Sequence, residues 1–131
     1  MLCFCGNKNK NKLLSLSQCC GRYLDYFDTM PAPDAESLMR SRYSAFVLER
    51  GDYLKKTWLD TKCPSDLNFE QDVKWLGLEV RSHRLTGPAQ AEVEFVAFSR
   101  LKGQPTRLRE LSRFVKDNGR WFYVDGILRM P

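Results

Sequence analysis

Four of the five cysteines lie in the first twenty residues, as the two close pairs Cys3/Cys5 and Cys19/Cys20. Side chains two positions apart in an extended segment point to the same side, so Cys3 and Cys5 can bind the same ion. Four thiolates at about 2.3 Å from Zn²⁺ form a closed structural site with no coordination position left for a substrate. The spacing therefore predicts a structural zinc site, with disulfides and free thiols as the alternatives that the sequence leaves open.

A polar, basic tract separates the two cysteine pairs. Thirteen residues lie between Cys5 and Cys19, and they include the run Asn7–Lys12, in which asparagine and lysine alternate. The run contains no residue type that usually forms a core, so it is predicted to be a mobile loop tip. Its lysines are expected to offset the negative charge of a four-thiolate site.

Two carboxylates in the C-terminal third of the chain form the second candidate site. Glu110 and Asp125 fall on one face of two predicted strands, diagonally across from each other and about 7–8 Å apart at the backbone. Two inward carboxylates can divide general acid and general base work when their surroundings separate their pKa values. The same face carries three further residues of the predicted pocket, Ser112, Trp121 and Tyr123.

Arg42 is expected on the wall opposite these carboxylates, because it interrupts the apolar stripe of a predicted helix. One hypothesis is structural: Arg42 pairs with one or both carboxylates, since a buried charge needs a partner. The other is functional, a ligand or reaction pocket bounded by Arg42, Glu110 and Asp125. Both hypotheses place the guanidinium in the interior.

The remaining nucleophiles and motifs add no catalytic site. His83 is the single histidine, which excludes any site that needs two imidazoles, and Cys63 precedes Pro64 without a base partner. Phosphate-binding loops, dinucleotide-binding glycine patterns, zinc-protease helices and serine-hydrolase elbows are absent from the sequence.

Composition predicts a single folded domain of ordinary type. The chain has 131 residues, 43% of them hydrophobic and 12% aromatic, with a formal net charge of +5. Mixed charges and many aromatic residues exclude intrinsic disorder. Neither an apolar stretch of membrane-spanning length nor a secretory leader pattern occurs, so a cytoplasmic protein without membrane attachment is expected.

Helices are predicted first along the chain. Residues 1–29 are expected to form the cysteine-rich knuckle, and the connector Met30–Pro33 leads into a domain covering residues 30–131. Asp34 is predicted to cap a helix that ends before Gly51. A short helix then starts at Asp52, and another is predicted from Ser65 to Trp75.

After Trp75 the apolar period changes from 3.6 to 2 and predicts four antiparallel strands, Leu76–His83, Gln90–Arg100, Thr106–Lys116 and Arg120–Leu128. An Asn118-Gly119 turn closes the last hairpin and pairs Asp117 with Arg120. The same reasoning places Ser112 opposite Asp125, and Glu94 opposite Arg113. Helices followed by a curved antiparallel sheet make an α+β fold with the helices on one face.

The opposite sheet face combines Glu92 and Glu94 with Arg107, Arg109 and Arg113, which predicts solvated cross-strand pairs. Basic residues interleaved with Phe98 and Phe122 leave a nucleic-acid surface as a further hypothesis, although the two glutamates interrupt the positive stripe.

Several blocks of the sequence resemble the YchJ family. They are Leu38–Phe46, Asp52–Leu54 with Thr57-Trp58, Glu110–Phe114 and Gly119–Gly126. The N-terminal cysteines with Cys19-Cys20-Gly21 resemble the SEC-C motif, a zinc knuckle. The resemblance implies a cone-shaped domain like nuclear transport factor 2 and ketosteroid isomerase, preceded by the knuckle. It also implies that such a sheet can form a homodimer.

Three functional hypotheses follow, in order of preference. The first is a non-catalytic interaction module whose zinc knuckle contacts a protein partner and whose cone has a pocket for a small ligand. The second is a small isomerase- or dehydratase-like enzyme that uses Asp125 or Glu110 as its base. The third is a weak nucleic-acid binder, whose affinity would fall steeply with salt.

Overall fold

The computed structural model describes residues 1–129. In chain order the elements are β1 (Lys8–Asn9), β2 (Lys12–Leu13), α1 (Gly21–Asp25), α2 (Ala35–Leu48), α3 (Gly51–Lys56), β3 (Val73–Gly87), β4 (Gln90–Leu101), β5 (Gln104–Asp117) and β6 (Arg120–Arg129). This arrangement confirms the α+β class. No helix within these residues is both long and apolar enough to cross a membrane.

Helix α2 forms one wall of the interior and begins where the sequence predicts. The Asp34 side chain accepts a hydrogen bond of 2.7 Å from the backbone N–H of Ser37, which satisfies one free donor of the first turn. The helix ends at Leu48, and the capping residue Glu49 adopts the left-handed conformation with φ of 56°. Glu49 takes the position that glycine usually occupies, because the chain must turn at once into α3.

The prediction of a helix from Ser65 to Trp75 is wrong. The chain is irregular until β3 begins at Val73. Leu67 and Phe69 are half-buried between exposed neighbours, a period of two that suits an extended segment. The Phe69 ring meets the Phe46 ring of α2 edge to face, with centroids 6.2 Å apart. The irregular chain before β3 therefore packs against α2.

Four long strands form one antiparallel sheet in the order β3-β4-β5-β6 within the described residues. The β4–β5 turn is tighter than predicted, because Lys102 and Gly103 both adopt positive φ and close a two-residue loop. Arg113 therefore lies opposite Glu92, and Glu94 lies opposite Leu111. A shift of two residues leaves every side chain on its predicted face.

The β5–β6 ladder contains a bulge that the sequence does not reveal. Asp117 pairs with Arg120 and Phe114 with Tyr123, as predicted, but Arg113 then pairs with Asp125. One residue of β6, Val124, is therefore extra. A single insertion reverses the faces of the rest of the strand, so the predicted pairing of Ser112 with Asp125 is wrong and Gly126 lies opposite Ser112.

The chain after α3 continues the sheet for one step beside β6. The backbone N–H of Tyr123 donates to Thr57 O, and that of Leu59 donates to Tyr123 O, both at 2.8 Å. This parallel bridge holds Trp58 against Tyr123, with ring centroids 5.2 Å apart. The aromatic pair closes one end of the space between α2 and the sheet.

The cysteine-rich segment packs on the same core as the rest of the chain. Its four clustered cysteines, together with Tyr23 and Leu24 of α1, are buried in one apolar cluster with residues of α2 and the sheet. Arg120 ties the segment after α1 to β6 by donating hydrogen bonds to Phe27 O and Asp28 O, at 2.9 and 2.7 Å.

Candidate functional site

The four N-terminal cysteines converge at one buried point. The sulfur atoms of Cys3, Cys5, Cys19 and Cys20 all lie within 4.8 Å of one another, and no disulfide joins them. The Cys5 and Cys19 sulfurs are 3.6 Å apart. Ligands at about 2.3 Å from a tetrahedral zinc ion are about 3.8 Å from each other, so this donor set has the size and chemistry of a four-thiolate metal site.

A β-hairpin accounts for the long separation between the two cysteine pairs. Strands β1 and β2 pair Lys8 with Leu13, and Lys10 and Asn11 adopt positive φ at the turn. The Asn–Lys tract therefore forms a β-hairpin with its turn at Lys10 and Asn11, and the predicted mobility of this tip stays a prediction. The two ends of the hairpin lie side by side, because the backbone N–H of Cys3 donates a hydrogen bond of 2.9 Å to Leu14 O.

The thiols influence one another's ionisation. Hydrogen bonds with the Cys19 side chain, and to a lesser extent with that of Cys20, lower the pKa of the Cys5 thiol to about 7. Hydrogen bonding with Cys19 and burial raise the pKa of the Cys20 thiol. Packed thiols can therefore lose their first protons readily, whereas complete ionisation needs a cation in their midst.

Helix α2 supplies the surroundings of the cluster. Ser44 places its hydroxyl 3.7 Å from the Cys3 sulfur. Arg40 donates to Cys5 O at 2.9 Å and pairs with Glu36 at the same distance. A helical wheel of α2 places Arg40 on the side away from the apolar stripe. The sequence gives no sign that the cysteine-rich segment packs on that side of the helix.

A second candidate site is a cavity of 270 Å³ between α2 and the concave sheet face. Seven of its thirteen lining residues are aromatic: Tyr43, Phe46, Trp58, Trp75, Phe95, Phe114 and Tyr123. Four more are Met39, Ala97, Leu108 and Ser112, and the two charged ones are Arg42 and Glu110. The cavity is thus an aromatic chamber with one group of each charge in its wall.

Glu110 is held in the cavity wall by two hydroxyl groups. Its Oε2 accepts hydrogen bonds from Ser112 Oγ at 2.6 Å and from Tyr123 OH at 3.3 Å. Its carboxylate lies over the backbone of Gly126, where a Cβ atom would overlap it. A glycine opposite Ser112 is therefore required for this carboxylate position.

Arg42 lies in the cavity wall without the carboxylate partner that the structural hypothesis requires. Its Nη1 donates to Leu54 O at 2.8 Å and to Thr57 Oγ1 at 2.7 Å. Its guanidinium covers the rings of Trp58 and Tyr123, with Cζ at 4.9 and 4.5 Å from their centroids. None of the ion pairs within residues 1–129 includes Arg42, and burial lowers its pKa to about 10.

The structure separates Asp125 from the other predicted site residues. The bulge puts its side chain on the outer face, where both carboxylate oxygens accept from Arg113 at 2.5 and 2.6 Å. These hydrogen bonds hold the pKa of Asp125 below its usual range. Asp125 is therefore not a base of the cavity, and Trp121, although buried, is not among the residues lining it.

The outer sheet face neutralises its own charges. Arg84 pairs with Glu92 at 2.7 Å, and Glu94 accepts from Arg109 at 3.0 Å and from Arg129 at 3.3 Å. Of the predicted cross-strand partners, Arg109 does pair with Glu94, whereas Arg113 pairs with Asp125 and Arg107 stacks on Phe98.

Sequence reasoning missed Trp58 and Gly126 as site residues. Trp58 stands at helical spacing after α3, but only the bridge to β6 brings it beside Arg42. Its indole Nε1–H is buried and has no hydrogen-bond partner among residues 1–129. Gly126 gives no sign of its role until the register of β6 is known.

Comparisons with known proteins agree with this architecture. The family model described as "YchJ, middle NTF2-like domain" matches residues 34–126. A UPF0225 protein of Polaromonas sp. (strain JS666) is 57% identical over 129 residues, which cover 97% of this chain and 93% of that protein. A UPF0225 protein of Bordetella pertussis is 51% identical over 128 residues, with 97% and 92% covered.

Two solved structures share the fold over the full chain. The solution structure of a SEC-C motif containing protein from Rhodopseudomonas palustris has a TM-score of 0.80 at 29% identity, covering 99% of this chain and all of that one. The crystal structure of a SEC-C motif containing protein from Psychrobacter arcticus has a TM-score of 0.79 at 30% identity, covering 100% and 84%.

Proposed function

This chain belongs to the YchJ family, and we propose that it is a non-catalytic binding module with a structural zinc ion held by Cys3, Cys5, Cys19 and Cys20. The zinc fixes the N-terminal segment on α2. The aromatic cavity receives a small ligand, and the knuckle presents its exposed surface to a protein partner. The module acts in the cytoplasm, where a reducing environment keeps the thiols available for metal.

The convergence of four sulfur atoms in one buried cluster is the observation that carries this proposal. Four thiolates give zinc a complete tetrahedral shell, so the ion would supply folding energy and charge but no substrate position. The cluster lies under α2, with Ser44 and Arg40 beside it. Four thiolates around Zn²⁺ carry a net negative charge, which the Arg40 guanidinium partly balances.

Metal content tests the zinc site directly. Elemental analysis of protein purified without chelator is expected to give one zinc per chain. The Cys19→Ala/Cys20→Ala double variant is expected to give none, since two thiolates cannot retain a closed shell.

Cys63→Ala is the matched control for cysteine loss, because Cys63 lies in the loop before Pro64, outside the cluster. It is expected to keep the full zinc content. Zinc-free parent protein with four reactive N-terminal thiols would contradict the proposal, as would a double variant that still binds one zinc.

A protein partner is the other half of the interaction hypothesis. The hairpin presents Lys8, Lys10 and Lys12 beside Leu13, which is 47% exposed, and Leu2, which is 56% exposed. Lys8 lies opposite Leu13 across the hairpin, and exposed apolar side chains next to lysines suit an acidic peptide with apolar anchors. The triple variant Lys8→Glu/Lys10→Glu/Lys12→Glu is expected to weaken capture of such a peptide while zinc content stays unchanged.

One observation favours an enzyme as the second candidate. Glu110 has a place in the cavity and forms no ion pair within the described residues, so a base is not locked by Arg42. Proton abstraction beside a carbonyl would appear as deuterium incorporation into phenylacetone in D₂O, followed by NMR. Incorporation that disappears in Glu110→Gln would favour the enzyme, and an unchanged ketone favours the binding module.

A further inference from the structure

The two charged groups of the cavity define a ligand with two different ends. From their placement we propose that the cavity binds a small aromatic carboxylic acid that carries a hydroxyl group at its far end, the carboxylate on Arg42 and the hydroxyl on Glu110. This inference rests on the proposed function, because it names the ligand class of the proposed binding cavity.

The free edge of Arg42 carries the first part of the argument. Its hydrogen bonds within residues 1–129 are all donated by Nη1, so the three N–H groups of Nε and Nη2 remain for a ligand. The ring centroids of Trp58 and Tyr123 lie 4.9 and 4.5 Å from Cζ and 5.2 Å from each other, so both rings contact the guanidinium from one side. The edge formed by Nε and Nη2 has no hydrogen-bond partner among residues 1–129. Two parallel N–H groups on that edge match the two oxygens of a carboxylate.

Burial makes a bound anion favourable at this position. Arg42 is 5% exposed and forms no ion pair among the described residues, so its desolvated charge is balanced only by two hydrogen bonds, two aromatic rings and the field of the Glu110 carboxylate. A ligand carboxylate would supply the missing countercharge in a low-dielectric cavity. Phosphates and sulfates are less suitable, since the surrounding aromatic wall offers few further donors for their additional oxygens.

The Glu110 carboxylate selects the other end of the ligand. Ser112 and Tyr123 both donate to Oε2, and Oε1 accepts no hydrogen bond from the described part of the chain. A carboxylate accepts hydrogen bonds and repels anions, so the group it faces must be an uncharged donor such as a hydroxyl. Tyr123 contacts both charged groups of the cavity: its ring lies under the Arg42 guanidinium, and its hydroxyl donates to Glu110.

The size and lining of the cavity fix the body of the ligand. A cavity of about 150 Å³ holds benzene, so a cavity of 270 Å³ has room for roughly eleven non-hydrogen atoms. Aromatic side chains in its wall favour a flat ring, which they contact edge to face or in offset stacks. 4-Hydroxyphenylacetate has this size and both end groups.

Isothermal titration calorimetry with 4-hydroxyphenylacetate on the zinc-loaded full chain tests the inference. Two analogues test the two end groups one at a time: phenylacetate lacks the hydroxyl, and methyl 4-hydroxyphenylacetate lacks the charge. Each is expected to bind roughly tenfold or more weakly than the hydroxy acid, the usual loss when a charged hydrogen bond is removed. Variants of Arg42 and Glu110, each measured with all three compounds, identify which residue binds which end group.

Arg42→Gln is expected to abolish the preference for the acid over its methyl ester. Glu110→Gln is expected to change the preference for the hydroxy acid over phenylacetate while the acid–ester preference remains. Arg84→Gln is the matched control, since it removes an arginine whose side chain is 72% exposed on the outer face. If Arg42→Gln fails to fold, the analogue series and Glu110→Gln still decide the question.

Three outcomes contradict the inference. Equal binding of the acid and its methyl ester overturns the carboxylate assignment but leaves a ligand cavity in place. Equal binding of the hydroxy acid and phenylacetate overturns the hydroxyl assignment in the same way. Binding of none of the three compounds by zinc-loaded protein overturns the proposed ligand class, while the metal analysis and the peptide capture test the proposed function separately.

Discussion

At the scale of single residues, Arg42 differs most from its expected role. The structural hypothesis gives it a carboxylate partner, whereas it makes two hydrogen bonds through Nη1 and covers two aromatic rings. The sequence correctly places a charge on a buried helix stripe. It cannot say what the charge contacts, because Thr57 meets Arg42 through the packing of α3 on α2, and Trp58 lies beside it where the chain bridges to Tyr123.

Comparing Arg42→Met with Arg42→Ala tests this description of Arg42. Arg42→Ala is expected to destabilise the fold by about 2–4 kcal/mol, because it leaves a void against Trp58 and Tyr123 and breaks the Nη1 bonds. Arg42→Met is expected to cost at least about 1 kcal/mol less, because it fills the space and no carboxylate is left unpaired. Urea unfolding measures both, and equal losses would indicate that an acidic group depends on the guanidinium.

The corrected position of Asp125 has its own consequence. Its pKa is held below the usual range by Arg113, so the pair stabilises the fold at neutral pH and loses that effect as the pH falls through the carboxyl range. Asp125→Asn is expected to flatten the acid side of a plot of stability against pH. It should leave 4-hydroxyphenylacetate binding within twofold of the parent, because the side chain is on the outer face; a loss of binding would return Asp125 to the cavity.

At the scale of elements, the strands were predictable and their exact register was not. Alternating apolar residues and the Asn118-Gly119 turn give the correct pairing from Asp117 to Phe114. The bulge at Val124 has no local signal in the sequence, since an extra residue in a strand need not differ in type from its neighbours. Glu110 was placed correctly because it lies on β5, beyond the reach of the β6 insertion.

Gly126→Ala tests whether this register positions the Glu110 carboxylate. The new Cβ would overlap the carboxylate, which must then leave its place between Ser112 and Tyr123. The variant is expected to fold and to lose the preference for the hydroxy acid over phenylacetate, as measured by calorimetry. Gly77→Ala is the matched control, since a Cβ there meets nothing within 4 Å. A preserved preference would show that the carboxylate position does not matter.

At the scale of the whole molecule, the knuckle and the cone share one core. The buried cysteines belong to the same apolar cluster as Leu38, Met39 and Tyr43 of α2. The sequence suggested a separate knuckle joined by a stiff connector, because a proline-rich segment follows it. Contacts between distant segments, such as Cys3 with Ser44, are invisible to such reasoning.

Removal of the proposed zinc ion is therefore expected to weaken the entire fold. A chelator with a reducing agent should lower the melting temperature by about 10 °C or more in one cooperative transition, since the binding free energy of a structural zinc is also folding free energy. Circular dichroism and tryptophan fluorescence should report the same midpoint. Two separate transitions would mean that the knuckle folds independently of the cone.

The hairpin β1–β2 also makes the chain tolerant of added sequence. Its two ends are pinned by hydrogen bonds beside the cysteines, while its turn at Lys10 and Asn11 points into solvent. The entropic cost of closing a loop rises only slowly with its length, so extra residues at that turn disturb little. An epitope or a fluorescent label inserted there would leave the clustered cysteines untouched while covering the lysines proposed to face a partner, so it would block that docking surface without disturbing the core.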